Sequence, residues 1–155
     1  MEKVLVAYFS ASGVTAKVAE KIRRAFGADI YEIRPETAYT SADLDWRDRN
    51  SRSSVEMQDT SSRPALKDRD AEVEKYDKLF IGFPIWWYRE PSIIDTFLEA
   101  YDFNGKTVIP FATSGSSGMG QTAERIRSII PGADIKDGKR VRADVTEAEI
   151  REIFA

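Results

Sequence analysis

The amino-acid sequence predicts an α/β fold in which helices cover both faces of a doubly wound, mostly parallel sheet of five strands. Strand-like and helix-like hydrophobic periods alternate from one end of the chain to the other, which is typical of repeated βα units. Three of the five strand-like segments are almost entirely apolar, whereas two alternate polar with apolar residues. Apolar strands belong inside a sheet covered on both faces and alternating strands belong at its edges, which favours the order 2-1-3-4-5.

Five strands follow from these patterns, in the order 3–9, 29–33, 79–83, 107–112 and 133–136. The first, third and fourth are the apolar ones, so we expect them at the centre of the sheet. The alternative order 3-2-1-4-5 would place the apolar third strand at an edge. Pro110 is unexpected in a central strand because it has no N–H, and it predicts a bulge or an early end to pairing.

Helices occupy the segments between and after the strands. Residues 15–26 form the first helix, and further helical spacing is found at 93–101, 123–130 and 150–154. Thr146 and Glu149 have the spacing of a capping box and mark the start of the last helix. Residues 34–71 are the least regular part, with a helix predicted around 42–57. Three arginines there are interpreted as a solvated helix face, the alternative being a grip on a second phosphate such as that of a nicotinamide dinucleotide: Arg47, Arg49 and Arg52.

Composition narrows the classes of function. A chain of 155 residues with 42% hydrophobic residues is expected to form one domain, residues 1–155. The net charge of -3 argues against nucleic acid or an anionic membrane as partner. With no Cys and no His, the chain has no disulfide, no thiolate nucleophile and no imidazole base, and no metal site is expected. No apolar run approaches the roughly 20 residues that span a bilayer, so we expect a cytoplasmic protein.

The most informative segment is Ser10-Ala11-Ser12-Gly13-Val14-Thr15, which follows the first apolar strand and leads into a helix. Its three hydroxyls, its glycine and the free N–H groups of the following helix indicate a phosphate site. It contains no Lys or Arg, which suits a small mononucleotide phosphate better than a triphosphate with magnesium. The alternative interpretation is an ordinary Ser/Gly turn before a helix.

Two further unusual loops follow the third and fourth strands. The first runs from Pro84 to Pro91 and contains Trp86, Trp87 and Tyr88, more aromatic surface than a loop needs for core packing. The second, 113–120, is rich in Ser and Gly. Both loops meet the phosphate segment at the carboxyl edge of a 2-1-3-4-5 sheet, where a planar ring joined to one phosphate would fit. Flavin mononucleotide (FMN) is such a ligand, the alternative being that the aromatics cover the sheet end or a subunit interface.

These three segments resemble those of the flavodoxin family, specifically short flavodoxins with a double-Trp loop, over nearly the whole chain. The phosphate motif carries Ser12 where the family usually has Thr. The resemblance implies a flavodoxin-like three-layer fold and FMN as cofactor. The cofactor-binding residues that it implies are Ser10, Ala11, Ser12, Gly13, Val14, Thr15, Pro84, Ile85, Trp86, Trp87, Tyr88, Thr113, Ser114, Gly115 and Gly118.

The resemblance implies a low-potential electron carrier between redox partner proteins, a reductase and an electron acceptor, with no catalytic residue of its own. Glu90 and Asp95 are interpreted as acidic groups that help to orient a basic partner. The alternative is an FMN-dependent NAD(P)H:quinone oxidoreductase, which an open flavin face favours because the loop after strand four has no aromatic residue. Tyr88 would then be the nearest proton donor. A ligand-free interaction module is the remote alternative, and a monomer or weak homodimer is expected.

Overall fold

A computed structural model describes residues 3–87, 89–113 and 122–154. Within those ranges the strands are β1 (Val4–Tyr8), β2 (Asp29–Glu32), β3 (Lys78–Pro84), β4 (Thr107–Thr113), β5 (Asp134–Ile135) and β6 (Lys139–Val141). The helices are α1 (Val14–Phe26), α2 (Arg52–Gln58), α3 (Ser92–Ala100), α4 (Thr122–Ile129) and α5 (Glu147–Ile153). In this part of the chain, no helix has the length and apolar character needed to cross a membrane.

The sheet is parallel and its strands follow the order β2-β1-β3-β4-β5, as predicted, with β6 also paired to β4. The half-polar β2 lies at one edge and the apolar β1, β3 and β4 lie inside. At the carboxyl edge, Tyr8 lies beside Gly82 and Pro84 lies beside Thr113. The segments that follow β1, β3 and β4 therefore start next to one another.

Pro110 lies within β4, where it pairs with Ile81 of β3 without an interruption on that side. On the other side of β4, Val108 accepts a hydrogen bond from the Lys136 amide at 2.9 Å. Backbone groups alternate between the two edges of a strand, so position 110 faces the same side as Val108. There the pairing passes from β5 to β6 with a gap between them. The missing N–H of Pro110 thus lies beside the gap between β5 and β6, which is the predicted interruption of pairing.

Alternate residues of the central strands supply two cores, one on each face of the sheet. On one face, Leu79 and Ile81 pack with Phe97 of α3 and Ile126 of α4. On the other face, buried side chains of β1, β3 and β4 pack with those of α1 and α5: Val6, Phe80 and Phe111 with Val18, Ile22 and Ile150. Both faces are therefore covered, as continuous apolar strands require.

The segment before α2 differs from the prediction, because the helix expected over 42–57 begins only at Arg52. Three aspartates close turns there by accepting amide hydrogen bonds: Asp43 from Thr40, Asp45 from Arg47 and Asp48 from Asn50. Short side chains that bind nearby amides compete with a helix in this way. Ser51 then caps α2, accepting the Ser54 amide.

Candidate functional site

The segment after β1 forms a loop whose amides converge on Ser10. The Phe9 amide donates to the Gly82 carbonyl at 2.9 Å, so the chain leaves the sheet just before this loop. Gly13 has a φ of 92°, in the left-handed region that suits glycine, and α1 begins at the next residue. Ser10 Oγ accepts the amides of Gly13 at 3.0 Å and Ala16 at 3.3 Å. Because both bonds use the oxygen as acceptor, the Ser10 hydroxyl proton is left to donate to a ligand.

Further donors surround this hydroxyl. Within the described ranges, no group accepts a hydrogen bond from the backbone amides of Ala11, Ser12, Val14 and Thr15. The last two open α1, where amides have no intrahelical partner and the helix dipole favours an anion. Ser12 is exposed, so the loop is open to solvent. The donor set is neutral and aimed at one place, which fits a phosphate group.

The segment 10–15 is here called the phosphate loop. Thr113, the last residue of β4, connects it with the loop after β3. Its Oγ1 lies 2.7 Å from Thr15 Oγ1, with both residues buried, and its carbonyl accepts the Ile85 amide at 3.1 Å. A hydroxyl pair of this kind uses one of its two protons internally, which leaves the other to donate elsewhere. Residues from all three predicted segments are thus brought together.

The loop from Pro84 to Pro91, here called the aromatic loop, places its two tryptophans differently. Trp86 and Arg89 exchange backbone hydrogen bonds of 3.0 and 3.2 Å. The Trp86 ring packs edge to face with Phe9 and Tyr39, at centroid distances of 5.7 and 5.6 Å. The Trp87 side chain is 47% exposed, and its φ of 49° is in the left-handed region. Trp86 therefore belongs to a packed cluster, and Trp87 has the free ring.

The backbone of Trp87 is strained, since a bulky residue in the left-handed region costs roughly 1–2 kcal/mol. Such strain persists only where the surroundings impose it, and it is concentrated at functional loops. Here the hydrogen bonds between Trp86 and Arg89 impose the turn. Four of the predicted cofactor residues lie outside the described residues: Tyr88, Ser114, Gly115 and Gly118.

Next to this loop the structure contains a buried ionic network that the sequence analysis interpreted differently. Glu90 and Asp95 are fully buried and do not form the exposed acidic patch that was expected to orient a basic partner. Arg125 lies 3.0 Å from Glu90 Oε2 and 3.1 Å from Asp95 Oδ2, so both side chains are paired inside the protein. The expectation was wrong because Arg125 comes from α4, a distant part of the chain that folding brings to this place.

Asp95 has the most perturbed environment of this network. Burial and the hydrogen bond and negative charge of Glu90 raise the pKa of Asp95 to about 8, although Arg125 and Arg63 oppose the shift. Its Oδ1 atom is buried without a hydrogen-bond partner among the described residues. Arg89, 3.7 Å from Asp95, also donates to the Met57 carbonyl of α2 at 3.1 Å. The network therefore fixes the base of the aromatic loop to α2, α3 and α4.

A cavity of about 320 Å³ lies between the phosphate loop and the segment after β2, and its lining includes Phe9, Ser10, Ala11, Arg34 and Tyr39. Its volume is at the lower end of the range for small-molecule sites, roughly 300–1,000 Å³. Among the described residues, no group of His, Cys, Asp or Glu is arranged to hold a metal ion. The lining also contains Glu32 and Glu36, so the donors suited to an anionic group are those of Ser10 and the start of α1 and not the cavity as a whole.

Comparison with known proteins relates this architecture to flavoproteins. The sequence model of one family, described as flavodoxin, matches residues 3–155. An inferred flavoprotein from Bacteroides eggerthii has 48% sequence identity and a TM-score of 0.94, with 99% of this chain and 96% of that chain covered. One from Bacteroides uniformis has 47% identity and a TM-score of 0.93, with 99% of each chain covered.

A more distant similarity shows the shared fold. A flavoprotein from Lactobacillus acidophilus, solved in complex with FMN, has 23% identity and a TM-score of 0.71, with 100% of both chains covered. No curated protein sequence matches the chain.

Proposed function

Because this chain belongs to the flavodoxin family, we propose that it binds FMN at the carboxyl edge of its sheet and carries electrons between redox partner proteins. The observation that carries the proposal is the hydroxyl contact of Thr15 with Thr113, which joins the phosphate loop to the end of β4 beside the aromatic loop. The L. acidophilus flavoprotein, which shares the fold, was solved with FMN and supports the choice of ligand.

In this proposal the phosphate lies at the start of α1. The Ser10 hydroxyl and the amides of Ser12, Val14 and Thr15 donate to it, and the helix dipole offsets its charge. A loop without Lys or Arg binds the phosphate through many neutral donors, each of which forms a charge-assisted hydrogen bond. These donors are held in place by the Gly13 turn and by the two hydrogen bonds from backbone amides to Ser10. The loop therefore loses little conformational entropy when it binds the phosphate.

The ring lies against the aromatic loop. Trp87 supplies an exposed aromatic face, while Trp86 supports the loop from below through Phe9 and Tyr39. Bound FMN accepts and donates electrons one or two at a time. The residues of the chain position and desolvate one side of the ring, and the exposed side of the loop leaves a path for electrons from a partner protein.

The test is to add FMN to the purified protein, remove oxygen and reduce it stepwise while recording the visible spectrum. We expect stoichiometric binding and two resolved one-electron steps, the behaviour of a carrier. Absence of FMN binding would overturn the proposal and favour an interaction module. A single two-electron step would overturn the carrier function while leaving FMN binding intact.

The second candidate function is an FMN-dependent NAD(P)H:quinone oxidoreductase. A groove beside Trp87, lined also by Trp46, Arg47 and Arg49, favours it, because a second substrate needs open space next to the flavin. Steady-state oxidation of NADPH by a quinone distinguishes the two functions. Turnover well above that of free FMN at equal concentration supports the enzyme, and turnover equal to that of free FMN excludes it.

A further inference from the structure

The aromatic loop and the segment before α2 enclose an open groove of about 560 Å³, lined by Trp46, Arg47, Arg49, Ser54, Gln58 and Trp87. It differs from the phosphate loop, with which it shares no residue. Two features of its lining need an explanation, the exposed aromatic rings and the two arginines, of which only Arg47 has a neighbouring carboxylate.

The aromatic feature is a pair of exposed tryptophans. Trp46 is 70% exposed and Trp87 is 47% exposed, and every other Trp, Tyr or Phe among the described residues is at least half-buried. A tryptophan buries roughly 150–250 Å² when it is packed. Two such rings left in water therefore lack a large favourable free energy of burial. Both rings line the same groove although they are 41 positions apart in the sequence. A planar ligand that covers both rings would gain this free energy of burial.

The charged feature is the pair Arg47 and Arg49. Arg47 lies 3.6 Å from Asp45, and its guanidinium carbon is 5.8 Å from the Trp46 ring centroid. Within the described ranges, Arg49 has no carboxylate at ion-pair distance, and the groove lining itself contains no Asp or Glu. Guanidinium groups bind oxyanions such as carboxylate, sulfonate or phosphate in a bidentate manner. The groove therefore offers positive charge with no internal counterion.

The third arginine of this segment has a different role. Arg52 stacks 3.9 Å over the Tyr39 ring, lies 3.1 Å from Glu56 and donates to the Thr37 carbonyl at 2.7 Å. Its side chain fixes α2 to the aromatic cluster and is absent from the groove lining. The sequence alone grouped the three arginines, whereas the structure separates one structural side chain from two that face the groove.

We propose that this groove binds a planar aromatic molecule that bears an anionic group, with the ring between Trp46 and Trp87 and the anion on Arg47 and Arg49. The binding itself does not depend on the flavin. Its role as the site of a small-molecule redox substrate rests on the FMN binding of the proposed function and on the second candidate function, the quinone oxidoreductase, because Trp87 then lies between this ligand and FMN.

The test uses naphthoquinone sulfonate as the probe and unsubstituted naphthoquinone as the neutral comparison, with equilibrium dialysis on FMN-free and FMN-loaded protein. The chain has no Cys that these quinones could modify. A charge-assisted contact in a partly exposed groove predicts about tenfold tighter binding of the sulfonate, reduced by added salt. Equal affinities for the two probes, or no binding of either, would overturn the proposal.

Variants separate the two parts of the site. Arg49→Gln is expected to remove most of the preference for the sulfonate, and Trp46→Ala to weaken both probes. Arg142→Gln removes the same charge elsewhere on the surface and is the control for net charge, since Arg142 is 72% exposed and is not part of the groove lining. An equal loss in the Arg142 variant would mean that only net charge matters, which contradicts a specific site.

Titration of FMN into the same preparations keeps the two proposals distinguishable. Loss of sulfonate binding with normal FMN binding contradicts the groove and leaves the proposed function standing. Sulfonate binding without any FMN binding supports the groove and contradicts the proposed function.

Discussion

Thr15 illustrates how one side chain can join two separate parts of a site. Sequence reasoning assigned it to the phosphate loop, and the structure adds its contact with Thr113 at 2.7 Å. Both residues are buried, so this hydroxyl pair is shielded from competing water. The residue therefore has a structural partner as well as a predicted ligand.

Thr15→Ala should raise the dissociation constant for FMN. Loss of a hydrogen bond to a charged group costs about 1.5–3 kcal/mol, which corresponds to roughly ten- to a hundredfold weaker binding. Fluorescence titration with FMN measures the change, and Thr15→Ser, which keeps the hydroxyl, is the matched control. An unchanged dissociation constant in the alanine variant would place the phosphate elsewhere.

Trp86 and Trp87 are adjacent residues with opposite expected effects. Trp86→Ala removes two edge-to-face ring contacts and should lower the free energy of unfolding by about 1–3 kcal/mol. Trp87→Ala removes an exposed ring and should change stability little, but it should reduce the quenching of flavin fluorescence on binding. Urea unfolding and FMN fluorescence measure the two effects. The reverse pattern would mean that Trp86 contacts the flavin.

At the scale of elements, the ends of α1 allow the proposed phosphate site at its start to be tested. Glycines in the left-handed conformation precede and follow this helix, Gly13 with a φ of 92° and Gly27 with a φ of 62°. No heavy atom lies within 4 Å of a Cβ added at either one, apart from those of chain neighbours. The two positions therefore share the same backbone requirement, and only Gly13 belongs to the phosphate loop.

This symmetry predicts different outcomes for two equivalent substitutions. Gly13→Ala and Gly27→Ala should each lower the free energy of unfolding of the FMN-free protein, by roughly 1–2 kcal/mol, because alanine is strained in the left-handed region. Only Gly13→Ala should also weaken FMN binding, measured by calorimetry. Equal effects of the two variants on FMN affinity would contradict a phosphate site at the start of α1.

At the scale of the whole molecule, the ionic network ties separate elements together. Asp95 of α3 contacts Arg125 of α4, and Arg89 of the aromatic loop donates a hydrogen bond to the Met57 carbonyl of α2. Removing Arg125 would leave the buried Glu90 carboxylate without its closest counterion, so these elements are coupled in stability. The shifted pKa of Asp95 makes this coupling depend on pH.

The folded protein keeps the Asp95 proton to about pH 8, whereas the unfolded chain loses it near its ordinary pKa of 3.8. Between these values the folded state binds more protons, so the Asp95 contribution to stability falls as the pH rises. Asp95→Asn, which stays neutral, should flatten this dependence in urea unfolding series from about pH 4 to pH 8. Glu152→Gln on α5, at an exposed carboxylate far along the chain from this network, is the control. An unchanged slope in the Asp95 variant would contradict the shift.

The sheet order was predictable from the sequence alone, and so was the position of the loop between β1 and α1 at which the phosphate site is proposed. Both follow from local pattern: apolar β1, β3 and β4 must be buried on two faces, and Gly13 before a helix turns amides toward one place. These signals lie within short segments, so no distant part of the chain is needed to recognise them.

The surroundings of the side chains near the candidate site became apparent only in the folded structure. Glu90 and Asp95 looked like a surface patch until Arg125 of α4 was placed beside them, and Arg47 and Arg49 were separated from Arg52 only by the turns before α2. The groove between Trp46 and Trp87 likewise needs two distant segments to meet. Burial, pKa and charge compensation depend on neighbours from elsewhere in the chain, and local periodicity carries no information about them.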